Sequence, residues 1–469
     1  MLRRAAALLS VLAVATLVFV ATSPVAAQAG GRELDVPEDY PTLESAIEAA
    51  QPGDTIVLGA GTYPGGVVVP ENRPGITIRG VNRTAVAFDG ETIRKFAIEI
   101  EADDVTLENM SAYSFAENGF YWDGVDGFAG RYLTVWNVGL YGIYAIQSQN
   151  GIIERSYVSG AADAAFYIGE CNPCNTTVSE VTATLSAVGY SGTNAGGNLV
   201  VQNSIFDRNA TGILPNSFDV GLEPPPQREA TFSGNIVTAS GTVPTPRNTP
   251  LGGYFGIGIG IVGGSDNSVT DNEVIDSTRY GIVIAPTVDF GTTWRPDGNH
   301  VSGNTVAGSG TADLALAVSS GPGNCFDDNT AGTTDPPTLA GCASEPEDFS
   351  QAVADVLMRP PPELMEGLPN PPAYTQMEVP AQQPNMPVPL PDPPNVETAV
   401  MVGLVALAAT IGGIATVYAA RPQNIMDPKD RGNIPLRNAG VSILVLGTVG
   451  LVLAVLLVLA GGAAPPTPS

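Results

Sequence analysis

The sequence predicts an all-β chain wound as a solenoid, and three observations carry that prediction. Residues 96–329 repeat with a period near 23 residues. Units in one phase begin Gly119-Phe-Tyr-Trp, Gly142-Ile-Tyr-Ala, Ala165-Phe-Tyr-Ile, Gly189-Tyr-Ser-Gly, Gly212-Ile-Leu-Pro, Gly258-Ile-Gly-Ile and Gly281-Ile-Val-Ile, at spacings of 23, 23, 24, 23, 46 and 23. A fixed period of this size marks a stack of structural repeats. Between the unit starts lies a second motif, in which apolar residues flank a polar pair. It reads Val105-Thr-Leu-Glu-Asn-Met, Leu199-Val-Val-Gln-Asn-Ser-Ile, Thr231-Phe-Ser-Gly-Asn-Ile-Val, Ser268-Val-Thr-Asp-Asn-Glu-Val and His300-Val-Ser-Gly-Asn-Thr-Val. Short β-rich runs with Gly and Asn at the corners favour strands over a helical array. The composition agrees: Gly is abundant at 54 residues and charge is sparse at 14%, while apolar residues are too plentiful for disorder.

Charge bounds the partners. The net charge is −27, with two lysines (Lys95 and Lys429) and one histidine, His300. Such a surface repels phosphate backbones, so no nucleic acid is expected. It equally disfavours polyuronides unless a cation such as Ca²⁺ bridges them, and no specific calcium motif is present; no cofactor is therefore expected.

In chain order, residues 1–29 read as a secretory signal peptide. Arg3 and Arg4 form the charged start, residues 5–21 are apolar, and Ala27-Gln-Ala offers a cleavage site, with Val25-Ala-Ala as its alternative. An uncleaved anchor is the other reading of this segment. Residues 30–95 read as an N-terminal cap and first coils. Residues 41–50 are expected to form a helix of about three turns capped by Thr42. It covers the apolar cross-section that an end coil exposes. Strands are expected at Asp54-Thr-Ile-Val-Leu, Gly61-Thr-Tyr, Val67-Val-Val and Ile76-Thr-Ile-Arg-Gly.

Tyr40-Pro-Thr-Leu-Glu-Ser-Ala-Ile, Pro52-Gly-Asp-Thr-Ile-Val-Leu, Gly61-Thr-Tyr and Ile76-Thr-Ile-Arg-Gly together resemble the N-terminal cap of the pectin-lyase-like superfamily. The repeats resemble that superfamily's generic β-helix repeat. The resemblance spans roughly residues 36–342 and implies a right-handed parallel β-helix. It implies no single activity, because the superfamily includes lyases, glycosidases, esterases, epimerases, tailspikes and non-catalytic proteins. No Gly-His-Gly or Asn-Thr-Asp of polygalacturonases is present, nor an Asp-Pro-His-Glu like that of alginate epimerases. No catalytic residue is carried over.

Residues 96–342 form the repeat body. Two insertions break the period at residues 219–229 and 242–253, and a third lies at residues 288–296. Such insertions map to loops, often on a binding face. Four cysteines in an exported chain read as two disulfides. Cys325–Cys342 staples the closing cap. Cys171–Cys174 is a local disulfide, with free thiols or a metal or redox role as alternatives. Residues 343–397 read as a Pro-rich linker holding a short helix near residues 349–358. Residues 398–420 and 441–462 carry no charged side chain and are each long enough to span a bilayer. Arg421, Lys429, Arg431 and Arg437 lie between them, which places loop 421–440 in the cytoplasm and tail 463–469 outside. The expected location is thus a membrane anchor with the solenoid on the extracytoplasmic side.

Strand alternation supplies the candidate site. If Phe120, Ile143 and Phe166 point inward, Tyr121, Tyr144 and Tyr167 stack outward on three adjacent coils. Such a strip can stack on sugar rings; its structural alternative is packing beneath a loop. Beside it lie Asp123 and Asp126 on the Tyr121 coil, Asp163 and Glu170 near the Tyr167 coil, and Asp219 at the inserted loop, and paired carboxylates about 5–10 Å apart can hydrolyse a glycosidic bond. A lyase needs a lowered-pKa base. Lys95 is the only lysine of the exported part, and Arg155, Arg208 and Arg279 could serve, but Glu154 and Asp207 beside Arg155 and Arg208 suggest surface pairing instead. His300 is read as a structural turn residue.

The preferred expectation is a non-catalytic, membrane-anchored protein that binds a glycan, another surface polymer or an envelope protein. The alternatives are a carbohydrate-active enzyme using Asp or Glu on the tyrosine face, and a copper-related accessory protein using Cys171.

Overall fold

A computed structural model describes residues 31–246, 254–289, 291–344 and 348–357. Three long parallel sheets run the length of a solenoid: sheet A of 12 strands, and sheets B and C of 11 each. One coil runs through Val105–Glu108 in sheet A, Ser111–Tyr113 in sheet B and Asn118–Asp123 in sheet C, and returns to sheet A at Asp126–Arg131. The 23-residue period of the sequence is therefore one coil. An antiparallel hairpin, Thr287–Asp289 with Thr292–Trp294, stands outside the three sheets.

The core is a set of registered rows. Phe120, Ile143, Phe166, Tyr190, Ile213, Ile259 and Ile282 pair in sequence down sheet C, each almost wholly buried. Burying each side chain contributes about 1.5–3 kcal/mol, so one interior row is a substantial share of the drive to coil. The glycines that open the units have a spatial cause. A Cβ on Gly119, Gly142, Gly189, Gly212, Gly258 or Gly281 would come within 2.4–2.6 Å of a carbonyl oxygen on the next coil. Ala165 holds the same position, so one coil does accept a methyl group.

The asparagines of the second motif form buried ladders. Asn235 Nδ2 donates to Asn272 Oδ1 at 3.0 Å, Asn272 to Asn304 at 2.9 Å, and Asn304 to Asn329 at 2.9 Å. A second ladder runs from Gln227 through Asn267 and Asn299 to Asn324. Each amide thus meets the hydrogen-bonding demand of a buried polar group. The motif alignment needs correction at Asn109 and Asn203. Asn109 follows the Glu108–Arg131 pair and is a corner residue with φ of 60°. Gln202 pairs with Ser233, so Asn203 lies opposite Gly234 and it is Ser204 that precedes Asn235 in the row. Asn203 is instead a corner residue with φ of 50°.

Helix α1 spans Leu43–Ala49, shorter than the three turns expected. Thr42 caps it by accepting from Ser45 N at 3.2 Å, as the sequence indicated. Leu43, Ala46 and Ile47 are buried against the first coils. Helix α2, Gln351–Leu357, lies within the stretch read as linker. Ser350 bridges to Ala317, and Val353 packs with Val283, Ala285, Ala315 and Ala317 against the last coils of sheet C. The expected signal peptide, the remainder of the linker, and the stretches 398–420 and 441–462 lie outside the described residues. Among the described residues no helix is long and apolar enough to cross a membrane.

Candidate functional site

Sheet C holds the candidate site on its outward face. Glu99, Tyr121, Tyr144, Tyr167, Ser191 and Leu214 stand in register on consecutive coils. Side chains alternate along a strand, so the inward row beside them leaves this row outward, as predicted. The rings do not make a flat strip, however. Tyr121 and Tyr144 are 5.6 Å apart and tilted by 46°, and Tyr144 and Tyr167 are 5.1 Å apart and tilted by 48°. Tyr141, which the periodic reading missed, stacks on Tyr144 at 4.5 Å and 5°. It sits in the turn before strand Ile143–Ile146; the signal available was the i, i+3 pair in Tyr141-Gly-Ile-Tyr. Tyr167 is only 6% exposed. Its ring lies across Gly169, where a Cβ would come within 2.2 Å, and its hydroxyl bonds Thr193. The face is thus a stepped aromatic surface: Tyr121, Tyr141 and Tyr144 are half-buried and Tyr167 lies beneath.

The phenols are held protonated. Burial above all, then a hydrogen bond to Glu99, raises the Tyr121 pKa, and Tyr121 Oη donates to Glu99 Oε1. Burial, with Asp163 nearby, does the same for Tyr141. These hydroxyls are therefore donors at any ordinary pH.

The carboxylates divide into groups. Asp163 and Glu170 flank opposite ends of strand Ala164–Gly169. Seven residues of mostly extended chain separate their Cα atoms by about 20 Å, too far for a catalytic pair. Asp123 is different. It lies in register with Ile146 and Gly169, so Glu170 is two coils away at the same sheet edge. Two coil spacings are about 10 Å. Glu170 is 4% exposed, its Oε2 accepts from Glu223 N at 3.0 Å, and its Oε1 has no hydrogen-bond partner among the described residues. Burial pushes its pKa up from 4.5 to about 7, against the lowering effect of the Glu223 N–H and Asn194. Further along the same edge, partial desolvation and then the carboxylates of Glu99, Glu71 and Asp123 raise the Glu101 pKa. This end of the face is densely acidic.

The insertions wall the face from both sides. Residues 217–227 leave the corner between sheets C and A and cover Glu170. Asn194 Nδ2 holds this loop through Phe218 O at 2.6 Å and Glu223 O at 2.9 Å. Asp219 N then donates to Asp289 Oδ2 of the third insertion at 2.7 Å. On the opposite edge, between sheets B and C, Thr211 Oγ1 donates to Tyr254 O at 2.6 Å, and Phe255 packs with Tyr167 and Leu214. Helix α2 covers the same face at its far end. The two loops thus border the end of the face that carries Tyr167 and Leu214.

Several sequence candidates fall elsewhere. Asp126 starts a sheet A strand and accepts from Asn150 Nδ2. Arg155 pairs with Glu154 and Glu180, each at 3.0 Å, and Arg208 with Asp207 at 2.6 Å, the surface pairing expected of them. Cys171 and Cys174 are disulfide-bonded and buried in the turn that follows Glu170, so the copper reading loses its thiolate there. Cys325 and Cys342 are bonded as well. His300 is not in a turn: it opens strand His300–Ser302 and is exposed.

Residues 118–331 match the family described as the right handed beta helix region, which bears out the resemblance read from the sequence. No protein of curated function matches the chain in sequence. Among solved structures the chain is similar to an alginate lyase from Paenibacillus sp. strain FPU-7, at 16% identity and a TM-score of 0.42 over 65% of this chain and 99% of that one. It is similar to the Dettilon tailspike protein at 14% identity and 0.41, over 65% and 68% of the two chains. It is also similar to the catalytic unit of an α-1,3-glucanase from Streptomyces thermodiastaticus, at 13% and 0.39, over 68% and 72%.

Proposed function

We propose that this protein binds an uncharged glycan along the outward face of sheet C, without turning it over. One observation carries the reading: Tyr121, Tyr141 and Tyr144 form a half-exposed aromatic step on the outward face of sheet C. Aromatic faces stack on the C–H faces of sugar rings, and phenol oxygens whose proton is already given to a carboxylate, as in Tyr121 to Glu99, can accept from sugar hydroxyls. The acidic edge of Glu71, Glu99, Glu101 and Asp123 selects against polyuronates through like-charge repulsion. We place the solenoid outside the cell, held by residues 398–420 and 441–462; the signal-like N-terminus, the two disulfides and the apolar stretches support this placement. A glycan array probed with the full chain tests the binding. Tyr144→Ala is expected to weaken every hit by about tenfold or more, the scale of losing one well-packed ring. Unchanged binding removes the proposal.

A second reading rests on the Asp123 and Glu170 edge. A buried carboxyl with a pKa near 7, and an exposed carboxylate whose backbone lies two coils or about 10 Å along the same edge, suit an inverting hydrolase, with Glu170 as general acid and Asp123 as general base. Reducing-sugar release from an array hit, abolished by Glu170→Gln with binding retained, would replace the binding-only reading with this one.

A further inference from the structure

The last coils of sheet A bring together the chain's single histidine and its second cysteine pair. His300 and Cys325 are register partners on adjacent strands, both on the outward face beside the inward Val301 and Phe326. Cys342 reaches the same spot from the closing loop. The ligand atoms of His300, Cys325 and Cys342 all lie within 4.8 Å of one another. In the oxidised chain the two sulfurs are bonded to each other and neither can donate to a metal.

The closing loop does not depend on that bond alone. Phe326 N donates to Ala340 O at 2.9 Å, and Cys342 N donates to Asp327 Oδ2 at 3.1 Å. Both contacts survive cleavage of the disulfide, so the two thiols would stay beside the imidazole. The pair is also reachable, since Cys342 is exposed, whereas Cys171 and Cys174 are 6% and 0% exposed.

We propose that His300, Cys325 and Cys342 form a redox-gated site for a borderline-soft divalent cation, with zinc as the probe. A dithiol reductant opens it. Two electrons pass to the Cys325–Cys342 bond, the reductant closes to its own disulfide, and two thiols appear on the protein. Metal binding then displaces two protons, leaving two thiolates and one neutral imidazole nitrogen on the cation. One imidazole with two thiolates is a three-ligand set that zinc accepts, with a fourth position left for water. A small-molecule disulfide oxidant closes it again: its own S–S bond takes the two electrons and becomes two thiols, the Cys325–Cys342 bond re-forms, and the metal leaves with no thiolate to hold it. The net charge of −27 favours cation capture.

The test uses the full-length chain, reduced with dithiothreitol, desalted without oxygen and dialysed against zinc. The reduced wild type is expected to show two titratable thiols and retain one equivalent of zinc, while the oxidised chain retains none. Cobalt should give a thiolate-to-cobalt charge-transfer band that Cys342→Ser abolishes. His300→Ala, a change at an exposed position, is expected to weaken zinc binding by at least about tenfold, the lower end of the cost of disturbing a ligand shell. The proposal is overturned if the reduced chain retains no zinc, if the oxidised chain retains as much, if Cys342→Ser keeps the metal, or if His300→Ala binds as tightly as wild type. The oxidised and reduced wild-type comparison needs no variant, so it decides even where a variant fails to fold.

Discussion

Glu170→Gln isolates the one buried carboxyl of the site. Glu170 is 4% exposed, and its pKa rises from 4.5 to about 7 because burial penalises the charged form. Between those values the folded chain keeps a proton that the unfolded chain has released. Stability therefore falls as pH climbs through this window. The contribution is fully present below pH 4.5 and gone above pH 7. At 1.36 kcal/mol per unit, the shift amounts to about 3 kcal/mol. The glutamine amide is uncharged at every pH and lacks this slope. Its oxygen can take the Glu223 N–H, and its NH₂ then occupies the place of the unpaired Oε1; any cost of that unpaired donor is the same at all pH values. The assay is thermal unfolding of wild type and variant near pH 5 and near pH 8. The variant should gain about 5 °C on the wild type between the two, given the Tm sensitivity of larger chains. Titration of the many surface carboxylates is common to both and cancels in the difference. A Tm difference that does not change with pH would refute the argument that burial controls this carboxyl.

Other consequences follow from the same geometry. Asn272→Ala removes the acceptor of Asn235 N and Nδ2 and the donor to Asn304, and should lower stability by about 2–4 kcal/mol, read by thermal unfolding. Gly258→Ala puts a methyl 2.4 Å from Val274 Cγ1 and 2.6 Å from Gly281 O and should cost about 1–3 kcal/mol, with no effect expected on the tyrosine face. Asp163→Asn removes a group at the far edge of the strand from Glu170, so if the hydrolytic reading holds it should leave turnover within about twofold, while Asp123→Asn lowers it by about a hundredfold or more; equal effects would break the assignment.

Much of the fold was legible because a coil repeats. Gly119, Gly142 and Gly189 recur because a Cβ there meets the next coil, and Phe120, Ile143 and Phe166 recur because they share one interior row. The outward position of Tyr121, Tyr144 and Tyr167 then followed from parity alone. The same parity misled at Asn203, since a one-residue shift between the corner and the ladder leaves the local pattern of apolar and polar residues almost unchanged. Helix α1 ended early because the backbone turns extended at Ala50, a boundary that amphipathic spacing does not mark.

The candidate site was legible only in part. Periodicity placed the tyrosines on one face but carried no information on ring tilt, which depends on Tyr141 inserting from a turn and on Gly169 leaving room for the Tyr167 ring. It also grouped Asp163 with Glu170, seven residues apart in the chain, although the strand between them holds their carboxyls at opposite edges. It left Glu99 unnoticed, although that residue is the register partner of Tyr121. The local record, in short, sets coil length, inward and outward faces and corner residues, because these arise from strand alternation and close backbone approach within one or two coils. Which side chains meet is a different matter. Glu170 under the 217–227 loop, Asp123 two coils away at its edge, and His300 beside Cys325 and Cys342 are brought together by winding, and separations of about 20–50 residues along the chain become single contacts only once the coils are stacked.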